Sequence, residues 1–394
     1  MGAPASPDRR SWPLIVSVVA VVAAVHVASL LPLTPPALVE NRVLASAPGV
    51  PDSWKAWAEL PQRLDDFAID RFPLRPFMIG GLNFLRYKLG YSGSKKVIVG
   101  RRGWLFFDDT SHLSRVAGVE RLDATGVRVW VQGLRQRVDY LGRRNTPFYI
   151  LLGPAKEDLY PEFRPRWLPS ERIPTEFDDL VTAAHASGLT QVVDPRAEIL
   201  AAKPTRIYDE FDTHWTALGA YIGYRALMSR MAQDDPVMAP RPFEELAVKT
   251  VTGANATRDV ASMLGIADFV KHEGRTTFAG PWPIHDPKRT TFLGPRTDAN
   301  APQVLHTDAA SGKTALLVRD SFALEVLPLL KAHFSTLVVA HVEDGWFRPD
   351  LVERYKPDAV LLVIIENSAR YAMDVMPALD DASQLGGGSA PSSK

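Results

Sequence analysis

Four blocks of aliphatic and aromatic residues constrain the fold of this chain more than any other feature. They lie at residues 148–152, 316–318, 336–340 and 358–365. Strands that are buried on both faces have such continuous apolar runs, whereas half-exposed strands alternate apolar and polar residues. Segments with helical apolar spacing alternate with these blocks, at 125–144, 177–186, 195–202, 216–231 and 351–355. The alternation predicts a three-layer α/β/α domain in which helices cover both faces of a parallel sheet.

The amino-terminal region has an apolar run from residue 12 to residue 33, preceded by Arg9 and Arg10. A bilayer is spanned by about 20 such residues. The run therefore predicts a single transmembrane helix in the cytoplasmic membrane, and the arginines predict that the remainder is exported. A cleaved signal peptide is the alternative interpretation. It is disfavoured because the run is long and no small-x-small site directly follows it.

The sequence divides into regions of different composition. Residues 1–11 are predicted to be cytoplasmic, and 34–95 form a membrane-proximal linker and a helical segment in which Pro73 is a break. The α/β domain is predicted to occupy residues 96–381. Within it, residues 234–311 are rich in proline, glycine and threonine, which predicts an irregular, strand-containing insertion. Residues 382–394 read as a flexible tail.

Composition excludes several classes of function. The chain has 45 basic and 45 acidic residues, so it has no excess positive charge with which to bind nucleic acid. It has no cysteine, which excludes disulfides, zinc–thiolate sites and cysteine nucleophiles. No group of histidine and acidic residues has the spacing of metal ligands, and we expect neither a metal nor a cofactor.

Ser321 follows one of the apolar blocks, and helical apolar spacing resumes after it. This pattern predicts a strand that turns sharply into a helix, with the serine at the corner. Free N–H groups at the start of a helix stabilise negative charge, and nucleophilic serines of α/β hydrolytic enzymes lie at such turns. The alternative is structural, because Asp320 and Ser321 are also common helix N-cap residues.

A second polar motif, Asp212-Thr213-His214-Trp215, provides a candidate base and a group to orient it. In an extended segment, residues two apart project to the same side, so the Asp212 carboxylate could fix the tautomer of the His214 imidazole. The other ring nitrogen would then be available to a serine hydroxyl. A surface loop that ends in a helix N-cap is the alternative interpretation of this motif.

These motifs, taken together, resemble the AlgJ/AlgX group of SGNH-hydrolase-like proteins, which are linked to O-acetylation of alginate and other bacterial exopolysaccharides. The resemblance runs through nearly the whole predicted exported part, and Asp-Thr-His-Trp is its most specific motif. The other motifs that carry it are Glu40-Asn41-Arg42, Asp70-Arg71-Phe72-Pro73-Leu74-Arg75, Gly103-Trp104-Leu105-Phe106, Pro154-Ala155-Lys156, Tyr160-Pro161, Asp259-Val260-Ala261-Ser262-Met263-Leu264-Gly265, Asp320-Ser321-Phe322 and Lys356-Pro357-Asp358.

The resemblance implies a function for the motifs. In this family the Asp-x-His motif precedes the serine, which is a circularly permuted order relative to ordinary SGNH esterases, and this chain has the same order. It implies that Ser321 is the nucleophile, His214 the general base and Asp212 its orienting acid. The implied activity is O-acetyl transfer to a polysaccharide through an acetyl-serine, with acetylesterase capability. A multipass membrane acyltransferase is the partner that the resemblance implies.

Five residues are candidates for substrate contact. Lys156 and Tyr160 follow a predicted strand, and a solvated lysine at the strand end is the alternative for Lys156. Trp215 and Trp282 could stack on sugar rings, with packing as the alternative. Arg319 departs from the family, which usually has glycine there; it would either crowd the backbone near the oxyanion site or place positive charge beside it. This departure leaves a second hypothesis open, a non-catalytic polysaccharide-binding or scaffold component of an export complex.

Overall fold

The computed structural model describes residues 43–108, 112–119, 121–252, 258–271, 273–278 and 288–369, with residues 12, 13, 15–17, 19 and 20. Most of the predicted transmembrane run and the whole predicted tail lie outside these residues. Across the part of the chain that is described, there is no helix with both the length and the apolarity needed to cross a membrane. The chain divides into two compact units, residues 1–99 with 258–272, and residues 100–257 with 273–394.

The first unit contains two long helices, α1 (Trp54–Asp70) and α2 (Arg75–Lys88), followed by strand β1 (Val97–Val99). Ser53 caps α1 by accepting a hydrogen bond from the Ala56 N–H at 3.3 Å. The helices are separated at residues 71–74, which agrees with the break predicted near Pro73. A further helix of this unit, α9, spans Asp259–Met263.

The second unit is built on a seven-stranded sheet with the order β4–β3–β11–β9–β10–β8–β7. Its strands are β3 (Phe148–Gly153), β4 (Val192–Val193), β7 (Thr290–Phe292), β8 (Gln303–His306), β9 (Thr314–Arg319), β10 (Thr336–His341) and β11 (Ala359–Ile365). The five strands from β4 to β10 in this order are parallel. In register, Val360 of β11 lies opposite Phe148 of β3. The unit also contains β2 (Leu105–Phe107) and an antiparallel pair, β5 (Val248–Val251) and β6 (Arg275–Phe278).

Helices cover both faces of this sheet and enclose two separate apolar cores. The helices of the unit are α3 (His112–Val116), α4 (Ala124–Gly142), α5 (Lys156–Leu159), α6 (Glu176–Ala186), α7 (Arg196–Ala202), α8 (Ala217–Asp234), α10 (Leu327–Leu330) and α11 (Pro349–Tyr355). One core packs Leu151, Leu317 and Leu361 against α8 and α10. The other packs the alternate strand residues against α4, α6 and α11. The predicted three-layer arrangement is therefore confirmed.

Five strands of the sheet are parallel, as predicted, but the sheet as a whole is mixed. Strands β8 and β7 come from the predicted irregular insertion and extend the sheet: β8 pairs antiparallel with β10, and β7 pairs antiparallel with β8. The insertion was correctly predicted to contain strands. Its short apolar runs gave no sign that two of them would pair with the main sheet.

The turn after β9 also differs from the prediction of a continuous helix. Residues Ser321–Leu324 form one turn of 3-10 helix, and the four-residue helix α10 follows after a gap. Pro328 lies in the first turn of α10, where its missing N–H costs no intrahelical hydrogen bond. Strand β9 therefore leads into a tight turn, and Ser321 is its first residue.

Candidate active site

Ser321 lies at the carboxyl end of β9, where an open α/β sheet binds its ligands. Its side chain is exposed. The preceding residue, Asp320, fixes the turn from both sides. Its carboxylate accepts hydrogen bonds from the Phe322 N–H at 2.9 Å and from the Ile365 N–H, at the end of β11, at 2.8 Å. The serine is thus presented to solvent by a backbone turn that is tied to the neighbouring strand.

Asp320 has a structural role in this arrangement. Burial raises the pKa of its carboxyl, although hydrogen bonds from two backbone N–H groups and from Ser368 oppose that shift. Its oxygens are directed to backbone donors, which is the behaviour of a capping residue. The acid that contacts the imidazole is Asp212.

Asp212, His214 and Ser321 form a continuous hydrogen-bonded chain. The Asp212 Oδ1 accepts from the His214 Nδ1 at 2.7 Å and from the His214 backbone N–H at 3.0 Å. On the other side of the ring, His214 Nε2 lies 2.9 Å from the Ser321 Oγ. Since Nδ1 faces a carboxylate, it carries the proton, and Nε2 accepts from the serine hydroxyl. The structure therefore brings together the three residues that the sequence singled out.

The surroundings of the Asp212 carboxyl favour its ionised form. Its side chain is about 2% exposed, and burial alone would raise the pKa of the carboxyl. The hydrogen bond and the charge of His214, together with the charge of Arg275, outweigh burial and hold the pKa of Asp212 below its usual range. The Asp212 carboxylate is thus available to stabilise a positive imidazole.

Three buried side chains hold the segments around this hydrogen-bonded chain. Lys156 Nζ donates to the backbone oxygens of Asp209 at 3.0 Å and Asp212 at 2.7 Å. Trp215 Nε1 donates to the Phe322 backbone oxygen at 3.1 Å, which links the histidine segment to the serine turn. Tyr208 donates to the Pro154 backbone oxygen and joins the same segment to the loop after β3.

Four of the residues predicted to contact substrate are buried, whereas Ser321 is exposed. Lys156, Tyr160, Trp215 and Arg319 are each at most 5% exposed, so a polysaccharide cannot reach their side chains in this structure. The packing alternative therefore describes Trp215, and Lys156 supports the backbone rather than facing solvent. Trp282 lies outside the described residues.

Arg319, the departure from the family pattern, is directed towards another loop. Its guanidinium donates to the Asn300 Oδ1 at 3.2 Å and to the Ala299 backbone oxygen. Burial lowers the pKa of Arg319, and the charge of Asp320 opposes that shift. The hydrogen bonds anchor the segment before β8 to the end of β9.

Sequence reasoning missed the role of Glu366, which directly follows β11. Its Oε1 accepts from the Ala155 N–H at 2.9 Å, and its Oε2 pairs with Arg196 in the protein interior. Burial raises the pKa of Glu366, and the charge of Arg196 opposes this. Glu366 thus fastens the loop after β3 beside the site. The sequence feature that could have indicated this role is that Glu366, like Ser321, follows a predicted strand.

Residues 97–281 match the family model described as SGNH hydrolase-like domain, acetyltransferase AlgX. This match is slightly less than half of the chain; it includes Asp212 and His214 and ends before Ser321. The resemblance to the AlgJ/AlgX group is confirmed.

Curated relatives named AlgJ match less than half of the chain. The "Probable alginate O-acetylase AlgJ" of Pseudomonas syringae pv. tomato is 28% identical over 186 residues, which are 46% of this chain and 45% of the relative. The protein of the same name from Pseudomonas aeruginosa is 29% identical over 150 residues, 38% of this chain and 36% of the relative. The chain thus spans less than half the length of these AlgJ relatives.

Solved structures support the fold. The structure of Bacillus cereus PatB1 superposes with a TM-score of 0.52 at 12% identity, covering 69% of this chain and 96% of that chain. At this identity the likeness concerns the fold alone. It agrees with the α/β fold described above, and the name SGNH hydrolase-like comes from the family model.

Proposed function

We propose that the protein is a membrane-anchored, exported O-acetyltransferase that acts on an exopolysaccharide such as alginate. The observation that carries the proposal is the hydrogen-bonded chain from Asp212 through His214 to an exposed Ser321. The AlgX-type family match and the AlgJ relatives support an acetyltransferase. The anchor and the exported location rest on the apolar run at residues 12–33 and the arginines before it.

In the proposed first step, the Ser321 Oγ attacks the carbonyl carbon of an acetyl ester while His214 Nε2 takes the hydroxyl proton. The Asp212 carboxylate stabilises the resulting imidazolium. The oxygen that develops negative charge accepts from the Ser321 backbone N–H, and we predict the turn at Gly153 as the second donor. Collapse of the tetrahedral intermediate breaks the bond to the leaving oxygen, which takes the proton from His214, and leaves an acetyl-serine.

In the second step, a sugar hydroxyl attacks the acetyl-serine. His214 takes the proton of that hydroxyl, and its protonated form then returns a proton to Ser321 Oγ as the ester bond to serine breaks. Transfer to a sugar gives the O-acetylated polysaccharide, and transfer to water gives acetate. The nature of the acceptor therefore separates an acetyltransferase from an esterase.

The proposal is tested with the full chain and a chromogenic acetyl ester. Ser321→Ala removes the nucleophile, so we expect ester cleavage to fall by a factor of about 10⁴ to 10⁶. Ser170→Ala, at an exposed serine outside the hydrogen-bonded chain, is the matched control and should retain the parent rate. Intact-mass spectrometry with the parent protein should detect one added acetyl group, which Ser321→Ala should not acquire.

Two results would contradict the proposal. Equal rates for Ser321→Ala and the parent would show that another group cleaves the ester. Binding of polysaccharide with no acetylated protein at any donor concentration would favour a scaffold component. The Arg319 side chain, which motivates this alternative, is held by hydrogen bonds with residues 299 and 300 and donates to the Asp320 backbone oxygen at 3.4 Å.

A further inference from the structure

Helix α2 of the first unit has two dissimilar faces. On one face, the Asn83 side chain donates to the Leu264 backbone oxygen at 2.8 Å, and Phe84 stacks on Phe269. A Cβ atom at Gly80 would lie 2.5 Å from the Phe269 ring, so this face is in close contact with residues 264–269. This packing fixes the helix orientation and directs the opposite face outwards.

The outward face is apolar. Met78, Leu82, Leu85 and Leu89 follow one another at intervals of four, three and four residues, which places them in one stripe. Their side chains are 50–65% exposed. Single exposed apolar residues are common on protein surfaces, but a continuous stripe of large ones marks a surface that binds something.

The segment that contains this stripe has charge of one sign. Between residues 71 and 96 there are six arginines and lysines and no aspartate or glutamate, although the whole chain has no net charge. Arg86 and Lys88 lie in the last turn of α2, and Lys95 and Lys96 follow it; all four are exposed. An apolar stripe bordered by basic side chains is the pattern of a helix that lies in the interface of an anionic membrane.

We propose that α2 lies on an anionic lipid bilayer, with the stripe Met78–Leu82–Leu85–Leu89 among the acyl chains and the basic side chains at the headgroups. The predicted transmembrane run ends at residue 33, about 40 residues before α2, so the chain there would already be beside a bilayer. Of the surfaces that could cover the stripe, a negative bilayer matches both its apolarity and its charge. The inference rests on the membrane anchor of the proposed function but not on its acyl transfer.

The absence of cysteine allows a site-specific test with the full chain. The Leu85→Cys variant, labelled with an environment-sensitive fluorophore, is incorporated into vesicles of phosphatidylcholine alone or of phosphatidylcholine with phosphatidylglycerol. In the anionic vesicles we expect a blue-shifted emission, several-fold less quenching by iodide, and quenching by doxyl-labelled lipid. The matched control is Glu59→Cys, on the polar side of α1, whose label should stay accessible to iodide.

Charge reversal separates lipid binding from simple burial. Adding Arg86→Glu and Lys88→Glu to the labelled variant should restore iodide quenching in anionic vesicles, and so should high salt. A label that is quenched by iodide in both vesicle types would overturn the proposal. Protection of the label from iodide without quenching by doxyl-labelled lipid would also overturn it, because protein would then cover the stripe. If that protection depended on the protein-to-lipid ratio, the covering protein would be a second copy of the chain.

These results are distinct from those for the proposed function. Flotation with vesicles reports the anchor, and ester cleavage by the same labelled chain reports the Ser321 site. If flotation or ester cleavage were lost while doxyl quenching remained, the lipid contact of α2 would still be supported. Retained anchoring and activity without doxyl quenching would refute the lipid contact alone.

Discussion

The Asp212 Oδ1 accepts two hydrogen bonds from the same residue, one from the backbone and one from the ring of His214. The backbone bond fixes the position of the oxygen, and the ring bond fixes the tautomer. A short sequence motif therefore supplies both the imidazole and a carboxylate that orients it. This geometry explains how an Asp-x-His spacing supplies both an acid and a base.

We predict that Asp212→Asn lowers ester cleavage by a factor of about 10⁴, because the neutral amide no longer stabilises the imidazolium or fixes its tautomer. The measurement is the rate with the chromogenic acetyl ester near neutral pH. Asp179→Asn is the control, since Asp179 pairs with Arg121 at the protein surface and should leave the rate unchanged. An Asp212→Asn rate within a few-fold of the parent would indicate that the carboxylate is dispensable.

The sequence identified the reactive residues but not the direction in which the neighbouring side chains point. Ser321 and His214 were predicted from their positions beside a strand and before a helix, and they are 2.9 Å apart. Lys156 and Trp215 were predicted to face substrate, and both are about 1% exposed. Side chains next to one another in a motif point to opposite sides, and local spacing does not tell which side is the interior.

At the scale of elements, the ends of β3, β9 and β11 are linked to one another beside the site. Asp320 links β9 to β11, and Glu366 links β11 to the residue after Pro154 in the loop that follows β3. A carboxylate thus joins each strand end to the next. The parallel strands were predictable from their apolar blocks, whereas these links and the added antiparallel strands depend on contacts between distant segments.

Gly153, at the end of β3, lies close to the rings of Phe322 and Trp215. A Cβ atom at this position would lie 3.0 Å from the Phe322 ring and 3.2 Å from the Trp215 ring. We predict that Gly153→Ala destabilises the protein by about 1–3 kcal/mol, because overpacking forces neighbours to move. Since Phe322 follows Ser321, ester cleavage should also fall. The measurements are the free energy of unfolding and the rate.

Gly142 provides the matched control for this substitution. It lies in α4, is exposed, and has no atom within 4 Å of the Cβ position. Gly142→Ala should stabilise the protein by about 0.5–1 kcal/mol, since alanine is the better helix former, and should leave the rate unchanged. Equal effects of the two substitutions would contradict a close approach at Gly153.

At the scale of the whole molecule, the apolar core on the α8 side of the sheet contains a titratable group. His333 is 7% exposed, and its Nε2 lies 2.7 Å from the Tyr224 hydroxyl. Burial, with a smaller effect from the charge of Arg241, lowers the pKa of His333 to about 4. A neutral imidazole accepts from the tyrosine, so the folded state favours the uncharged ring.

This shift makes stability depend on pH. Between about pH 6.5 and pH 4 the unfolded chain binds a proton at His333 that the folded chain does not, so the free energy of unfolding decreases as the pH is lowered. The full loss is up to about 3 kcal/mol and is complete below pH 4. We predict that His333→Gln, which retains a hydrogen-bonding side chain, removes this part of the pH dependence in urea unfolding followed by tryptophan fluorescence.

Tyr224→Phe distinguishes burial from hydrogen bonding as the origin of this dependence. Because burial is the larger cause of the low pKa, removing the hydroxyl should lower stability at every pH while leaving the slope between pH 6.5 and pH 4 close to that of the parent. His341 also has its pKa lowered by burial, but it is present in all three proteins and cancels in their differences. If His333→Gln kept the slope of the parent, the imidazole would have to be as accessible to protons in the folded core as in the unfolded chain.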